Sequence, residues 1–358
     1  MAKVVVGISG GVDSAVAASL LIEEGHDLCG VFMKNWEEED SGACPAEEDY
    51  EDAKSVCLKL GIPFYTVGFA REYWDSVFAY FLEEYSKGRT PNPDVLCNSE
   101  IKFKAFLKYA QDALSADFIA TGHYARIQRA DGEVRLLKGS DAKKDQSYFL
   151  SFLSSQQLSK ALFPLGEYEK PDVRMAARKL GLRVSEKKDS TGVCFIGERN
   201  FRKFLSSYLP ARPGSIVDWD TGEVIGEHIG LMYYTIGQRR GLGIGGHGNG
   251  GRWYAASKDL ERNILYAVEG GNNPKLFYRG FEGGEPSFVN PMPNGGKRRI
   301  TVKYRYQQKE APALLEVSEE RCRVIFEAPQ SSIAPGQVGA FYSGDTCLGG
   351  SIITKGIV

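Results

Sequence analysis

The string KVVVGISGGVDSAVAASLLIEEG, which begins at Lys3, limits what this chain can fold into more than any other stretch. Val4 to Ile8 is an unbroken apolar run, the pattern of a parallel strand covered on both faces. It runs through Gly7 into Gly10 and Gly11, and a helical pattern follows from Ala15 to Glu24, stopped by Gly25. Strand, glycine turn and helix in that order form an anion site. Glycines let the backbone turn tightly and approach a ligand. The first amides of the helix then point at the ligand, with the positive end of the helix dipole behind them. Ser9 and Ser14 add hydroxyl donors. Asp13 cannot bind phosphate directly, but it can help hold a magnesium ion that neutralises one. The loop has no lysine at the position where G-x-x-x-x-G-K-[ST] requires one, which disfavours transfer of a γ-phosphoryl group. It is not G-x-G-x-x-G either, which disfavours a dinucleotide fold.

Further along, strand and helix alternate. Apolar runs at 28–33, 63–67 and 118–121 are predicted strands, and 47–60, 72–85 and 101–114 are predicted helices. This rhythm implies an α/β fold: an open, mostly parallel, Rossmann-like sheet with helices on both faces. The pattern changes near Phe204, where turn signals separate short β-prone runs. From Lys297 apolar and polar residues alternate as in an antiparallel sheet or small β-barrel. The expected organisation is a catalytic domain over 1–205, a central β-rich domain over 206–280 and a C-terminal β-barrel over 281–358.

Composition narrows the class further. Hydrophobic residues make up 42% and charged residues 25%, a soluble globular profile. The formal charge of -2 gives no global sign of a nucleic-acid partner, though a local basic patch fits inside it. No apolar run is long enough to span a membrane, and the strand pattern starts at once, so a cytoplasmic protein with no membrane partner is expected. Seven cysteines without a C-x-x-C, and four histidines none of which is at ligand spacing to a cysteine, argue against a disulfide framework or a zinc site.

Three other stretches carry chemistry. In GRTPNPDVLCNSEIKFKAF, residues 88–106, two prolines flank Asn92 and predict an extended loop that enters a helix near Ser99. Cys97 would then lie near a helix N-terminus, which favours its thiolate, with Lys102 and Lys104 adding to the effect. In KKDSTGVCFIGERNFRKFL, residues 187–205, Cys194 follows a polar turn; beside Phe195 and Ile196 it reads equally as strand core. Between Lys297 and Lys309 there are six basic residues and no acidic ones, interleaved with Tyr304 and Tyr306. Arginine and tyrosine there could reach phosphates and stack on unpaired bases, so RNA is the expected partner of this strand. Arg239, Arg240 and Arg252 lie in a second glycine-rich basic stretch.

The loop GISGGVDS is similar to the S-G-G-x-D-S loop of the PP-loop ATP pyrophosphatase superfamily, whose members split ATP between the α- and β-phosphates. With TPNPDVLCN, IKF, ATGHYAR, KDQSYFL, DSTGVCFIGER, TIGQRRGLGIGG and APGQ, in that order from Gly7 to Gln337, the chain resembles the tRNA-specific 2-thiouridylase (MnmA/TrmU) family along nearly its whole length.

The resemblance implies ATP-dependent 2-thiolation of the wobble uridine, U34, in tRNA, the family's substrates being lysine, glutamate and glutamine tRNAs. ATP adenylates the C2 oxygen, pyrophosphate leaves, and sulfur displaces AMP. Cys194 matches the persulfide carrier, loaded by a sulfur-relay protein. Cys97 matches the nucleophile that resolves the persulfide and can end in a disulfide with Cys194, and Asp94 matches the acid/base partner. Gly7 to Ser14, Met33 and Gly122 match ATP contacts. Asn92, Pro93 and Asp94 match contacts to a flipped base. His123, Lys144, Asp145, Gln146, Arg305, Tyr306 and Gln337 match other tRNA contacts. ATP and Mg2+ are implied as cofactors, and a monomer is expected. A reading in which Asp94, Cys97 and Cys194 ligate a [4Fe-4S] cluster stays open at this stage. Two rivals also stay open. One is a PP-loop ligase acting on a small carboxylate or purine, which has no need of the two cysteines. The other is a non-catalytic RNA-binding protein, which would tolerate damage to the loop.

Overall fold

The structure is a computed structural model that describes residues 1–36, 45–188, 201–244, 250–292 and 295–358. β1 (Lys3–Gly7) is buried from Val4 onward, as a strand covered on both faces must be. It pairs in parallel with β2 (Asp27–Lys34) on one side and β4 (Phe118–Ala120) on the other, and β3 (Phe64–Gly68) extends the sheet beyond β2. β5 (Ala125–Ala130) and β6 (Glu133–Lys138) form a hairpin that leaves this sheet, and β7 (Ala161–Leu162) returns to pair with β4. The order β3-β2-β1-β4-β7 confirms the expected parallel sheet.

Successive residues of β1 face opposite layers. Val5 packs with Phe78, Phe81, Ile101, Phe103 and Phe106 of the helices spanning 70–86 and 93–114. Val4 and Val6 pack with Ala18, Leu21, Ala53 and Cys57 of the helices Val12–Glu23 and Pro45–Leu60.

The helix expected near Ser99 begins six residues earlier. Its first residue is Pro93, a position where a missing N–H costs nothing and the fixed φ is already helical. Pro93 therefore starts the helix rather than delaying it, while Asn92 before it is extended as expected. Residues 97–105 within it are π-helical, a local widening that is frequent at functional sites.

The central region forms a separate four-stranded sheet of β8 (Gly214–Asp218), β9 (Val224–His228), β10 (Trp253–Asp259) and β11 (Ile264–Glu269), in the order β10-β11-β8-β9. The last region contains β12 (Phe277–Gly283), β13 (Ser287–Phe288), β14 (Lys297–Lys303), β15 (Ala311–Val317), β16 (Cys322–Ser331), β17 (Val338–Ser343) and β18 (Thr346–Ile357). Pairing runs β12-β16-β15-β14-β17-β18, and a further β12–β18 ladder closes the barrel. Phe281, Val302, Leu315, Val324, Phe341 and Ile353 fill its interior. The hairpin β5–β6 attaches to the outside of this barrel through β18, so chain from the first region continues the sheet of the last. No described helix is long and apolar enough to cross a membrane.

Candidate active site

In open α/β sheets, ligands bind beyond the carboxyl ends of the strands where the strand order reverses. Here that point lies between β1 and β4. The loop from Gly7 to Ser14 leaves β1 there, with Met33 at the end of β2 and Gly122 just past β4. A side chain at Gly122 would lie 2.7 Å from the Asp13 carbonyl carbon and the Ser14 nitrogen, so glycine is required for the strand end to approach the helix start. One at Gly7 would lie 3.3 Å from the Met33 methyl. The positions that sequence resemblance assigns to ATP therefore converge. Gly10 has φ of +73° and would place a Cβ 2.3 Å from the Asp49 carbonyl oxygen, which ties the turn to the helix Pro45–Leu60. Ser14 Oγ accepts from the Ser9 amide at 3.1 Å and donates to the Gly11 carbonyl at 3.1 Å, which sets the loop's curvature.

Asp13 does not stand open for a metal. Its Oδ1 accepts from the Tyr124 hydroxyl at 2.7 Å and from Lys170 Nζ at 2.7 Å, and its Oδ2 accepts from the same ammonium at 2.8 Å. The neighbouring acids are also paired: Lys187 Nζ lies 2.7 Å from Asp49 and 2.6 Å from Asp52. Burial works against the Lys187 charge, but the bonds to these two carboxylates outweigh it and leave its pKa raised. Among the described residues no three His, Cys, Asp or Glu side chains form a group that could hold a metal ion. The magnesium role expected for Asp13 does not fit its surroundings.

The segment 88–97 carries the other residues that sequence resemblance assigns to the reaction. Chain from all three regions holds it. Lys258 Nζ of β10 donates to the Gly88 carbonyl at 2.6 Å, and the Thr90 and Thr235 hydroxyls meet at 3.1 Å. The Thr90 amide donates to the Pro335 carbonyl at 2.9 Å, and Gln337 Nε2 donates to the Thr90 carbonyl at 2.8 Å. The Tyr148 hydroxyl donates to the Val338 carbonyl at 3.0 Å and also bonds the Asn92 side chain; burial pushes its pKa up. Pro93 is buried, and Asn92 and Asp94 are part-exposed at the start of the helix. Cys97, one turn in, is 0% exposed and belongs to the core beneath the sheet.

Cys194 lies outside the described residues, as does the rest of 189–200. The chain on either side is well anchored. Arg174 donates to the carbonyls of Ser185 and Lys187, both at 3.0 Å, and Lys187 is paired to the helix that touches Gly10. On the far side Phe204 packs against Trp36 and Phe78 with centroids at 5.8 Å in each case.

Comparison with known proteins fits this layout. Residues 2–198 match the model of a tRNA methyl transferase HUP domain, 202–269 a tRNA methyl transferase PRC-barrel domain, and 278–353 an aminomethyltransferase beta-barrel domain. The tRNA-specific 2-thiouridylase MnmA of Alkaliphilus oremlandii is 56% identical over 355 residues, 99% of this chain and 97% of that protein. That of Shigella dysenteriae serotype 1 is 55% identical over 357 residues, with 99% and 97% covered. The chain belongs to the tRNA-specific 2-thiouridylase family. Among solved structures, the U34-tRNA thiolase NcsA from Methanococcus maripaludis with its [4Fe-4S] cluster is 22% identical over 57% of this chain and 63% of that one. Its TM-score is 0.35.

In this member of the thiouridylase family, several residues assigned to RNA by resemblance also brace the fold. Asp145 is 4% exposed; it accepts from the Gly139 and Ser147 amides, each at 3.1 Å, and from Lys303 of β14 at 2.9 Å. Gln146 accepts from the Tyr124 amide at 2.9 Å. Arg305 donates to the Ile236 carbonyl at 2.6 Å and the Ser332 carbonyl at 3.0 Å, joining the central region to the barrel. Tyr306 packs against Phe149 with ring centroids at 4.4 Å and planes tilted by 42°, and donates to the Lys144 carbonyl at 3.4 Å. His123 sits between Phe103 and Phe163 with Nδ1 2.7 Å from the Thr121 hydroxyl; burial, helped by Lys102, holds its pKa well below the usual value and the ring neutral.

Tyr304 corrects the expectation of an aromatic interleaved for stacking: it points into the barrel core, 1% exposed. Of the six basic residues in this stretch, Lys303 and Arg305 turn inward to brace the fold, while Arg298, Arg299 and Lys309 face solvent with Arg239, Arg240 and Arg252.

Sequence reasoning missed Lys170, Tyr124, Lys187 and Lys258. One of them carried a signal: Lys170 opens a helix just before Pro171, where the helix dipole disfavours a cation. Such a local conflict marks a residue retained for another reason.

Proposed function

We propose that this chain thiolates the C2 position of the wobble uridine of tRNA at the expense of ATP. Family membership supports the reaction class. The observation that carries the reading here is the convergence of the loop Gly7–Ser14 with Met33 and Gly122 at the switch point of the sheet. Such a site offers backbone amides to phosphates and a thioether and a glycine edge to a base. The uridine O2 attacks the α-phosphorus, the bond to the bridging oxygen breaks, and pyrophosphate departs with the electron pair. The terminal sulfur of a persulfide on Cys194 then attacks C2 and AMP leaves with the original oxygen. Attack by the Cys97 thiolate on the Cys194 sulfur breaks the S–S bond, frees the 2-thiouridine and leaves a Cys97–Cys194 disulfide. Because Cys97 is fully buried in the free chain, this last step requires the start of its helix to be uncovered. The exposed arginines and Lys309 would meet tRNA phosphates. A sulfur-relay protein would load Cys194.

The test is incubation with ATP, Mg2+, a protein persulfide donor and unmodified tRNA carrying U34. Thiouridine and pyrophosphate appear together if the reading is right; ADP and phosphate in their place would overturn it. A Cys194→Ser variant that thiolates at the wild-type rate with a protein persulfide donor would remove that cysteine from the scheme.

A further inference from the structure

We propose that Lys170 is the cation of this phosphate loop, supplied from a distant helix, and that Asp13 is the residue that holds it there rather than a magnesium ligand. The proposal rests on the reading that ATP is split at its α-phosphate in this loop. Lys170 is 7% exposed and is the first residue of the helix Lys170–Lys179. Burial and the positive end of its own helix both disfavour an ammonium there. The structure keeps it by a two-pronged pair with Asp13 at 2.7 and 2.8 Å. The Lys170 amide donates to Asp141 at 3.0 Å, which fixes the helix start. The Tyr124 hydroxyl on Asp13 and the Tyr124 ring, 5.7 Å from the ammonium, complete the seat. Asp13 is the second residue of the helix whose first amides close the loop. Its charge alone would repel phosphates; with Lys170 in place that charge is balanced.

A lysine ammonium carries three donors on a flexible stem, so it can turn toward a phosphate oxygen while still bonded to Asp13. When the α-phosphorus is attacked, negative charge grows on the bridging oxygen and the departing pyrophosphate. Lys170 remains protonated and donates to those oxygens; Asp13 remains ionised and holds it. A preplaced cation at such a position contributes rate rather than ground-state binding. Lys170 is thus assigned as a catalytic residue and Asp13 as a positioning one. The lysine absent from the loop string is present in space.

The test uses the full chain. Lys170→Met is expected to lower tRNA-dependent pyrophosphate release at saturating ATP by about 100-fold or more, and Lys170→Arg to restore part of it. Asp13→Asn should lower it less, and the double variant should be no worse than Lys170→Met. The Mg2+ concentration for half-maximal rate should stay at the wild-type value in Asp13→Asn. A second readout is pyrophosphate binding in EDTA by calorimetry: the wild type binds, and Lys170→Met loses at least tenfold. The proposal is overturned if Asp13→Asn raises the Mg2+ requirement severalfold, or if Lys170→Met, folded by thermal melt, keeps pyrophosphate release within threefold. If Lys170→Met does not fold, Lys170→Arg and Asp13→Asn decide it through the Mg2+ titration and the EDTA binding. Should the wild type release ADP and phosphate instead, the fault lies in the underlying reading of ATP cleavage and not in the seat of the lysine.

Discussion

The phosphate loop and the segment that carries Asn92, Asp94 and Cys97 are built on opposite plans. The loop is local. Its curvature comes from residues within Gly7–Ser14, and the chain that closes on it belongs to the same sheet and its flanking helices. The Cys97 segment is tied to the preceding helix at its start, the Gly88 and Arg89 amides donating to the Tyr85 and Glu84 carbonyls, and beyond that to distant chain. Gly88, Thr90 and Asn92 are held by Lys258, Thr235, Pro335, Gln337 and Tyr148, residues spread over the whole chain. The loop can form as soon as the parallel sheet does. The Cys97 segment is held in place only when the central sheet and the barrel have docked. A damaged barrel should therefore spare nucleotide binding and abolish sulfur transfer.

The sharpest way to break the comparison is at its glycines. Gly10→Ala places a Cβ 2.3 Å from a backbone oxygen at φ of +73°. It should cost about 2 kcal/mol or more of stability and take pyrophosphate release below detection, as read by thermal melts and a pyrophosphate assay. Gly336→Ala puts a Cβ 2.9 Å from the Thr90 nitrogen, carbon and oxygen at φ of +92°. Here the expected result is selective: thiolation falls by about tenfold or more while ATP affinity by equilibrium dialysis is unchanged. Equal loss of both would show that the loop and the segment are not independent.

Lys258 offers a pH-dependent version of the same comparison. Burial pulls its pKa down to about 7. The unfolded chain, with an ordinary lysine, therefore binds more protons than the folded one between about pH 7 and the usual lysine value near 10.5. Stability from this group accordingly rises with pH across that window and is lowest below about 7. Because the residue keeps some contact with solvent, the slope stays under the full value of about 1.4 kcal/mol per pH unit. Lys258→Met should flatten the rise in Tm between pH 7 and 9 and still slow thiolation, because Gly88 loses its donor. Parallel Tm curves for variant and wild type would remove the linkage.

The same difference explains what could be read from the sequence. β1, the glycine loop and the following helix are contiguous, and their pattern predicts the sheet and the ligand end of it. The C-terminal alternation predicts a barrel, and the barrel closes. The helix starts at Pro93 rather than near Ser99, because proline before a helix and proline in a loop have the same sequence pattern until the next turn is seen. Tyr304 was misassigned because a basic strand conceals which of its faces is inward. Lys170 lies 157 residues from its partner Asp13, beyond the reach of any spacing rule. The hairpin β5–β6 gives no hint in sequence that it will leave its own sheet for another, since edge pairing is decided by the partner's geometry.

The smallest expected effect bears on the most distant of these contacts. Gln337 meets the segment through one side-chain donor, Nε2 to the Thr90 carbonyl, with Pro91 further off at 3.5 Å. Losing one such hydrogen bond is worth about 1 kcal/mol. If Gln337 acts through Thr90, Gln337→Ala should slow thiolation about fivefold at saturating tRNA, and Thr90→Val in the same background should add less than it does alone. If Gln337 contacts tRNA directly, the loss should instead appear in the KM for tRNA, and the two substitutions should be additive. The cycle separates a residue that touches the substrate from one that only aims the chain that does.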